Sequence, residues 1–455
     1  MTLELKDFLY GNSYKVLIKF ATPILLALFL QAFYSAVDLW MVGQFASTND
    51  VSSVAIGSQT ILIFLGLISG LSTGISVLLA KNIGEKNVLG AKKIIVTGTI
   101  IFLIFGFFLS LIIFFLAKPI ALYMHTPKEA LDGTISYIQI CGGGLIFIVL
   151  YNLISSILKG CGNSRSPLLF VFIASIINII TDYILIKYYG MGAKGAAIAT
   201  IFSQAMSVIF SLIYIKIKKI GFNFNKNDMR FDVNSFKEIM KIGAPIGVQD
   251  FFNEVSYLLL FGFVNVLGLA ASSGVGIAEK LIVFVLLIPN TFLQAISTIT
   301  AQNVGAKNYL RTKKILKSGL ILSSSLGLIM AIILFFFGEN LSIIFMDSTV
   351  ESAKEAIKDS GIFLKATSLE CFIFSISYCL SGFLSGYRKT TFIMVQTLLT
   401  IFLIKEPYCY LATYVMTPSL FNIGLGLVFA ALFSLILLFV FYLILDKKNK
   451  KENLY

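Results

Sequence analysis

About twelve apolar stretches recur along this chain, and each is long enough to cross roughly 30 Å of hydrocarbon as a helix. They cover approximately residues 16–42, 53–79, 94–117, 136–158, 167–188, 195–215, 239–266, 276–300, 315–338, 360–385, 391–415 and 421–445. Of the 455 residues 57% are hydrophobic and 13% charged, against about 25% charged in a soluble domain. A backbone surrounded by lipid must satisfy its own hydrogen bonds, so the stretches read as helices and the chain as an all-α integral membrane protein. The five cysteines, Cys141, Cys161, Cys371, Cys379 and Cys409, lie in or beside these stretches without paired spacing, which predicts neither disulfides nor a metal site. The charged, amphipathic start lacks the short apolar core and cleavage site of a signal peptide, so the first span is expected to remain in the mature protein.

Charge outside the spans predicts orientation. The net charge of +13 comes from lysines and arginines between apolar runs, which points to lipid headgroups as partners and not to nucleic acid. Lys81, Lys86, Lys92 and Lys93 share one loop, Lys159 and Arg165 another, and Lys216, Lys218, Lys219, Lys226, Arg230 and Lys237 the long middle connection. Lys307, Arg311, Lys313, Lys314 and Lys317 follow, then Arg388 and Lys389. With alternating spans these fall on one side together with both termini, whereas residues 43–50 and 268–274 carry no lysine. A multi-pass protein of the plasma (inner) membrane with both termini in the cytoplasm is expected.

The sequence also repeats. AKNIGEKNVLGAKKIIVTG (80–98) aligns without gaps on AQNVGAKNYLRTKKILKSG (301–319), and Pro23 in IKFATPILL has its counterpart at Pro245 in MKIGAPIGV. SILKGCGNS and GFLSGYRKT close the fourth span of each half. Two pseudo-symmetric six-helix bundles in parallel orientation follow, residues 1–215 and 239–455, joined by a cytoplasmic linker at 216–238, with a binding cavity between or within them.

Within the first apolar run, QAFYSAVDLWMVGQF (31–45) carries Asp38. An ionised aspartate in hydrocarbon costs at least about 2.5–3.5 kcal/mol, so such residues face a polar cavity or carry an ion or proton. Tyr34 and Gln31 lie one and two turns earlier on the same face.

Pro23 with FYSAVDLWMVGQF, the duplicated Gln/Lys-Asn-x-Gly-x-Lys-Asn loop, SILKGCGNSRSP and GMGAKGAAIATIFSQ (190–204) resemble the MATE (multidrug and toxic compound extrusion) transporters over essentially the whole chain. The resemblance implies two six-helix bundles around a cleft that opens alternately to either side, and export of small amphipathic, cationic organic compounds against entering protons or sodium. The chain is most similar to the DinF-like branch. That branch implies a coupling site of Asp38 on the first span, Asn152 on the fourth, Asn178 and Asp182 on the fifth and Thr200 on the sixth, with a helix bend at Pro23. Sodium would sit at Asp38, Asn178, Asp182 and Thr200. Alternating spans place Asp38, Asp182 and Thr200 at similar depth in the outer half of the first bundle, and Asn178 shares a helical face with Asp182. Tyr34 completes the set.

The second half departs from this pattern. Asp38 aligns with Leu260, so the aspartate is not duplicated. The NorM-like branch implies a glutamate on span seven and an aspartate on span ten; Glu254 and Glu370 are near but out of register, and with Gln249 they are secondary candidates. Asp250, Glu254, Lys280, Glu370, Lys405 and Glu406 lie within apolar runs, and ion pairs of Glu370 or Glu254 with Lys405 or Lys280 are expected. His125 and Trp40 read as a helix-start neighbour and an interface anchor. No phosphate-binding Gly-x-x-x-x-Gly-Lys-Ser/Thr loop is present, so a gradient and not ATP would drive transport, with no cofactor. A monomer is expected. The alternatives are a lipid-linked glycan flippase of the same superfamily and an intramembrane enzyme. The latter would use Asp38 and Asp182 as an acid pair, but the chain has no histidine cluster and no large soluble loop to complete it.

Overall fold

The structure is a computed structural model that describes residues 3–124, 126–218, 224–225, 228–345 and 351–452, without the side chains of 3–6 and 351–352. His125, Lys219 and Lys226 lie outside these residues. All regular elements among the described residues are helical. Ten helices are long and apolar enough to span a membrane, and a pair bent by 45°, Lys128–Gly143 with Leu145–Gly160, makes an eleventh pass. Val233–Asn265 is as long, at 33 residues, but Asp250, Asn253 and Glu254 lower its apolar character.

The chain divides into two compact units, Thr22–Gly247 and Met1–Ala21 with Val248–Tyr455. The divisions fall inside two helices, α2 (Ser13–Phe45) and α9 (Val233–Asn265), beside Pro23 and Pro245. α2 is continuous through Pro23, and α1 (Leu3–Tyr10) precedes it. The first unit is completed by α3 (Thr48–Gly84), α4 (Val88–Tyr123), α5 (Lys128–Gly143), α6 (Leu145–Gly160), α7 (Arg165–Asp182) and α8 (Gly192–Lys218). The second contains α10 (Leu269–Gly305), α11 (Tyr309–Ser342), α12 (Glu351–Gly386), α13 (Thr390–Leu399), α14 (Glu406–Tyr414) and α15 (Leu420–Lys451). In each unit one helix passes through a π-helical turn, Tyr183–Tyr188 after α7 and Thr400–Lys405 between α13 and α14.

The sequence repeat is also a backbone repeat. After α3, Asn87 N–H donates to Asn82 O and Lys86 N–H to Ile83 O, with Lys86 left-handed at φ 57°. After α10, Asn308 N–H donates to Asn303 O and Lys307 N–H to Val304 O, with Lys307 at φ 58°. Both are six-to-one helix stops that close on a left-handed residue. The same stop follows α6 at Gly162 (φ 84°) and α12 at Arg388 (φ 62°), the second pair of matched motifs.

Small residues set the packing inside the first unit. Gly70 and Gly74 of α3 face Gly247 and Gly243 of α9, so close that a Cβ on Gly70 would stand 2.2 Å from the Gly247 nitrogen. Two small-x-x-x-small pairs meeting in this way let helix backbones touch where apolar burial alone gives no drive to associate. At one end, Asp50 caps α3 through Ser47 and accepts from Ala193 N–H at 3.0 Å, joining the starts of α3 and α8. The segment before α9 is strapped to α4 by Lys92–Asp228 at 2.8 Å and Lys93–Asp232 at 3.0 Å.

Candidate functional site

α2, α7 and α8 bring polar groups together in the interior of the first unit. Asp38 is 6% exposed, Asn178 1% and Asp182 0%. Thr200 Oγ1 donates to Asp38 Oδ2 at 3.2 Å, and the Asp182 and Asn178 side chains lie beside the same carboxyl. Asn178 and Asp182 are four residues apart and so face one side of α7. One turn along α8, Gln204 Nε2 donates to Tyr34 Oη at 3.2 Å, so Tyr34 stands one turn from Asp38 on α2 and is tied to the helix that carries Thr200.

Hydrogen bonding here is incomplete. Among the described residues, Asp38 Oδ1, both carboxyl oxygens of Asp182 and both amide atoms of Asn178 are buried with no well-aligned hydrogen-bond partner within 3.5 Å. Buried polar atoms are normally satisfied, and each that is not calls for an explanation. Two ionised carboxylates side by side away from water repel, so the arrangement suits one proton shared between them or a small cation on their oxygens. The Asn178 amide and Thr200 hydroxyl are uncharged groups that can accept or donate as the carboxyl state changes.

Asn152 is not drawn into this cluster: its Nδ2 donates to Ile148 O within its own helix at 2.9 Å. Two neighbours escaped the sequence reading. Gln204 lies four residues after Thr200, and that spacing was a usable signal. Tyr137 of α5 is buried beside the carboxylates, in space left by Gly57, where a Cβ would meet its ring at 2.4 Å. One aromatic among so many carries no signal in sequence.

The second unit holds the other charges. Leu260, which aligns with Asp38, is fully buried in an apolar cluster with Val264, Val275 and Ile423. Glu254 and Gln249 are half-buried on α9, and Glu370 is buried on α12. The expected ion pairs do not form: among the described residues no carboxylate oxygen approaches Lys405 or Lys280 within 4.0 Å. Lys405 Nζ instead lies over the Tyr257 ring at 4.5 Å, and Glu406 accepts from the Ser256 hydroxyl. Lys280 is exposed. Glu279, not among the candidates named from sequence because it sits beside Lys280 at the head of a span, joins this group with one oxygen buried and unpartnered among the described residues.

Comparison with known proteins places these two units in a family. The family model described as MatE matches residues 23–184 and 245–411. "Probable multidrug resistance protein YpnP" of Bacillus subtilis is 27% identical over 444 residues, covering 96% of each chain. "Probable multidrug resistance protein NorM" of Thermotoga maritima is 24% identical, covering 94% of this chain and 92% of its own. Among solved structures, the outward-facing conformation of a multidrug resistance MATE family transporter of the MOP superfamily superposes with a TM-score of 0.90 at 19% identity, covering 97% of both chains.

Proposed function

Because the chain belongs to the MatE family, a family of multi-pass membrane transporters and not of enzymes, we propose that it is a secondary active exporter. In this reading it expels small amphipathic organic cations in exchange for entering protons. The observation that carries the reading is the Asp38–Asp182 pair, buried in the first unit with three of its four carboxyl oxygens lacking a hydrogen-bond partner among the described residues. A proton entering from outside neutralises the pair, mainly at Asp38. The loss of charge favours the rearranged bundle and releases the cationic substrate outward; deprotonation toward the cytoplasm resets it. Asn178, Thr200 and Tyr34 adjust their hydrogen bonds to the state of the pair. Sodium at Asp38, Asn178, Asp182 and Thr200 is the second reading, favoured by the unpartnered oxygens and the Thr200 hydroxyl, which are all hard donors.

The experiment is transport of a cationic dye by proteoliposomes with pH and sodium gradients imposed separately. Drive by pH alone supports the proton reading, and drive by sodium alone at equal pH replaces it. Pro23 removes the α2 hydrogen bond to the carbonyl of Lys19 and weakens the helix there, so we assign the bend of the transport cycle to it. Wild-type turnover in a well-expressed Pro23→Ala protein would remove that role. Loop charge supports cytoplasmic termini: a cysteine at Asn225 is expected to resist impermeant thiol reagents in intact cells, and one at Ser47 to react. The opposite labelling would invert the orientation.

A further inference from the structure

A groove lies between α2 and α7 of the first unit, away from the coupling residues. It encloses about 510 Å³ and is walled by Leu26, Phe29 and Leu30 of α2 with Leu169 and Phe172 of α7. Phe29 precedes Asp38 by nine residues, about two and a half helical turns, so the groove and the Asp38 carboxyl lie on opposite faces of α2. Leu30 packs on the buried cluster of Tyr151, Phe170 and Val171, which closes the groove from behind. The other side is open: Leu26, Phe29, Leu169 and Phe172 are between 43% and 49% exposed.

Arg165, the first residue of α7, is the one charged residue of the wall and marks its end. It is exposed, and among the described residues it makes no hydrogen bond or ion pair. No Asp or Glu occurs between Asp7 and Asp38 or between Asp132 and Asp182, the two stretches that supply the walls, so neither wall offers it a counter-ion. The start of α7 adds to the positive charge, because no acidic residue sits in its first turn. Asn163 Oδ1 accepts from Ser166 N–H at 3.0 Å and Pro167 has no N–H, which leaves the Arg165 N–H and guanidinium as donors there. From Arg165 to Phe172 the helix rises about 10 Å. The groove is therefore cationic at one end and apolar from that end inward.

We propose that this groove is a binding site for one anionic phospholipid, with its phosphate on Arg165 at the start of α7 and an acyl chain along Leu169, Phe172 and the facing side of α2. The two ends together select that chemistry. A guanidinium presents a fork of N–H donors that matches phosphate oxygens, and the wall beyond it takes an alkyl chain and nothing polar. A soluble anion leaves the wall unfilled, and a zwitterionic headgroup brings a cation of its own toward Arg165. Loop charge assigns the Arg165 end to the cytoplasm, where the leaflet carries anionic lipid. Leu26 follows Pro23 by three residues, so the bound chain lies against α2 just past its proline. The site goes beyond the exporter reading and does not depend on it.

The test reads lipid contact by fluorescence in the full-length protein and needs no gradient. Trp40→Phe removes the only tryptophan, and Leu169→Trp then puts a reporter in the groove. Leu103→Trp on α4, at the same 43% exposure as Leu169, reports the general lipid shell instead. In bilayers that mix phosphatidylglycerol and phosphatidylcholine, with one or the other brominated, quenching gives the relative binding constant of the two lipids at each reporter. At position 169 phosphatidylglycerol is expected to be preferred about fivefold, the worth of one interfacial arginine, and Arg165→Gln is expected to reduce the preference to that at position 103. No preference at position 169, an equal one at position 103, or one that survives Arg165→Gln would overturn the proposal. Should Leu169→Trp fail to fold, Phe172→Trp reads the same wall. Failed export with the preference intact bears on the exporter reading alone, and intact export without the preference on this site alone.

Discussion

Thr200 Oγ1 donates to Asp38 Oδ2 at 3.2 Å, which fixes the hydroxyl of one helix on the buried carboxyl of another. Thr200→Val keeps the shape and removes the donor. Leaving a buried acceptor unmatched costs about 1–3 kcal/mol, so gradient-driven efflux is expected to fall by about tenfold with expression unchanged. Initial rates in proteoliposomes decide it; wild-type rates would mean that the contact is incidental.

The space for Tyr137 beside the carboxylates depends on Gly57. A methyl group there meets the ring at 2.4 Å, and the ring is buried with little room to retreat. Gly57→Ala is expected to destabilise the protein by about 1–3 kcal/mol, the usual cost of overpacking, and to lower transport with it. An unchanged melting temperature would show that Tyr137 has another place to go.

Glycine on a helix is ordinarily a weakness that alanine repairs, by roughly 0.5–1 kcal/mol. Gly262, with no atom of the described residues within 4 Å of its would-be Cβ, is expected to behave so. Gly70 is expected to do the opposite, because its Cβ would lie 2.2 Å from backbone that cannot rotate away. Thermal unfolding of Gly70→Ala and Gly262→Ala in one detergent gives opposite signs if close helix approach is what Gly70 provides, and equal signs if it is not.

The strap before α9 has a defined pH window. The backbone N–H of Asn225 and the ammonium of Lys92 hold the Asp228 carboxyl below its usual range, and Ser235 with Lys93 does the same for Asp232. A carboxyl depressed in the folded state takes up its proton later there than in the unfolded chain. Its stabilising contribution is therefore complete above the ordinary value of about 4 and is lost as pH falls through the depressed one. Limited proteolysis near Asn225 is expected to be constant from neutral pH down to about 5 and to accelerate below about 4. Acceleration between 7 and 5 would contradict the assignment.

Much of this was legible because lipid makes charge conspicuous. Asp38 and Asp182 stand out in apolar runs, whereas Thr200 came from the family resemblance, and alternating spans only put it at a similar depth. The duplicated Asn-x-Gly-x-Lys-Asn loop foretold the matched left-handed residues Lys86 and Lys307, since a gapless repeat carries its turn chemistry with it. The grouping of Met1–Ala21 with Val248–Tyr455 was not legible, because a repeat gives the register of two halves and not which bundle a leading segment joins. Nor were the π turns, because one shifted hydrogen bond has no residue signature; Lys405, at the end of one of them, lies over the Tyr257 ring. Glu279 was lost for a related reason, as an acid next to a lysine at a span end looks like any solvated pair.

Efflux by Asp38→Asn under an imposed pH gradient, compared with Asp182→Asn and the double variant, tests coupling at the buried pair most directly. A neutral amide imitates the protonated carboxyl, so Asp38→Asn is expected to bind substrate and yet to lose gradient-driven efflux. Asp182→Asn is expected to change that loss by less than about twofold, because the two carboxyls act as one unit. Undiminished pH-driven efflux by Asp38→Asn would contradict the account.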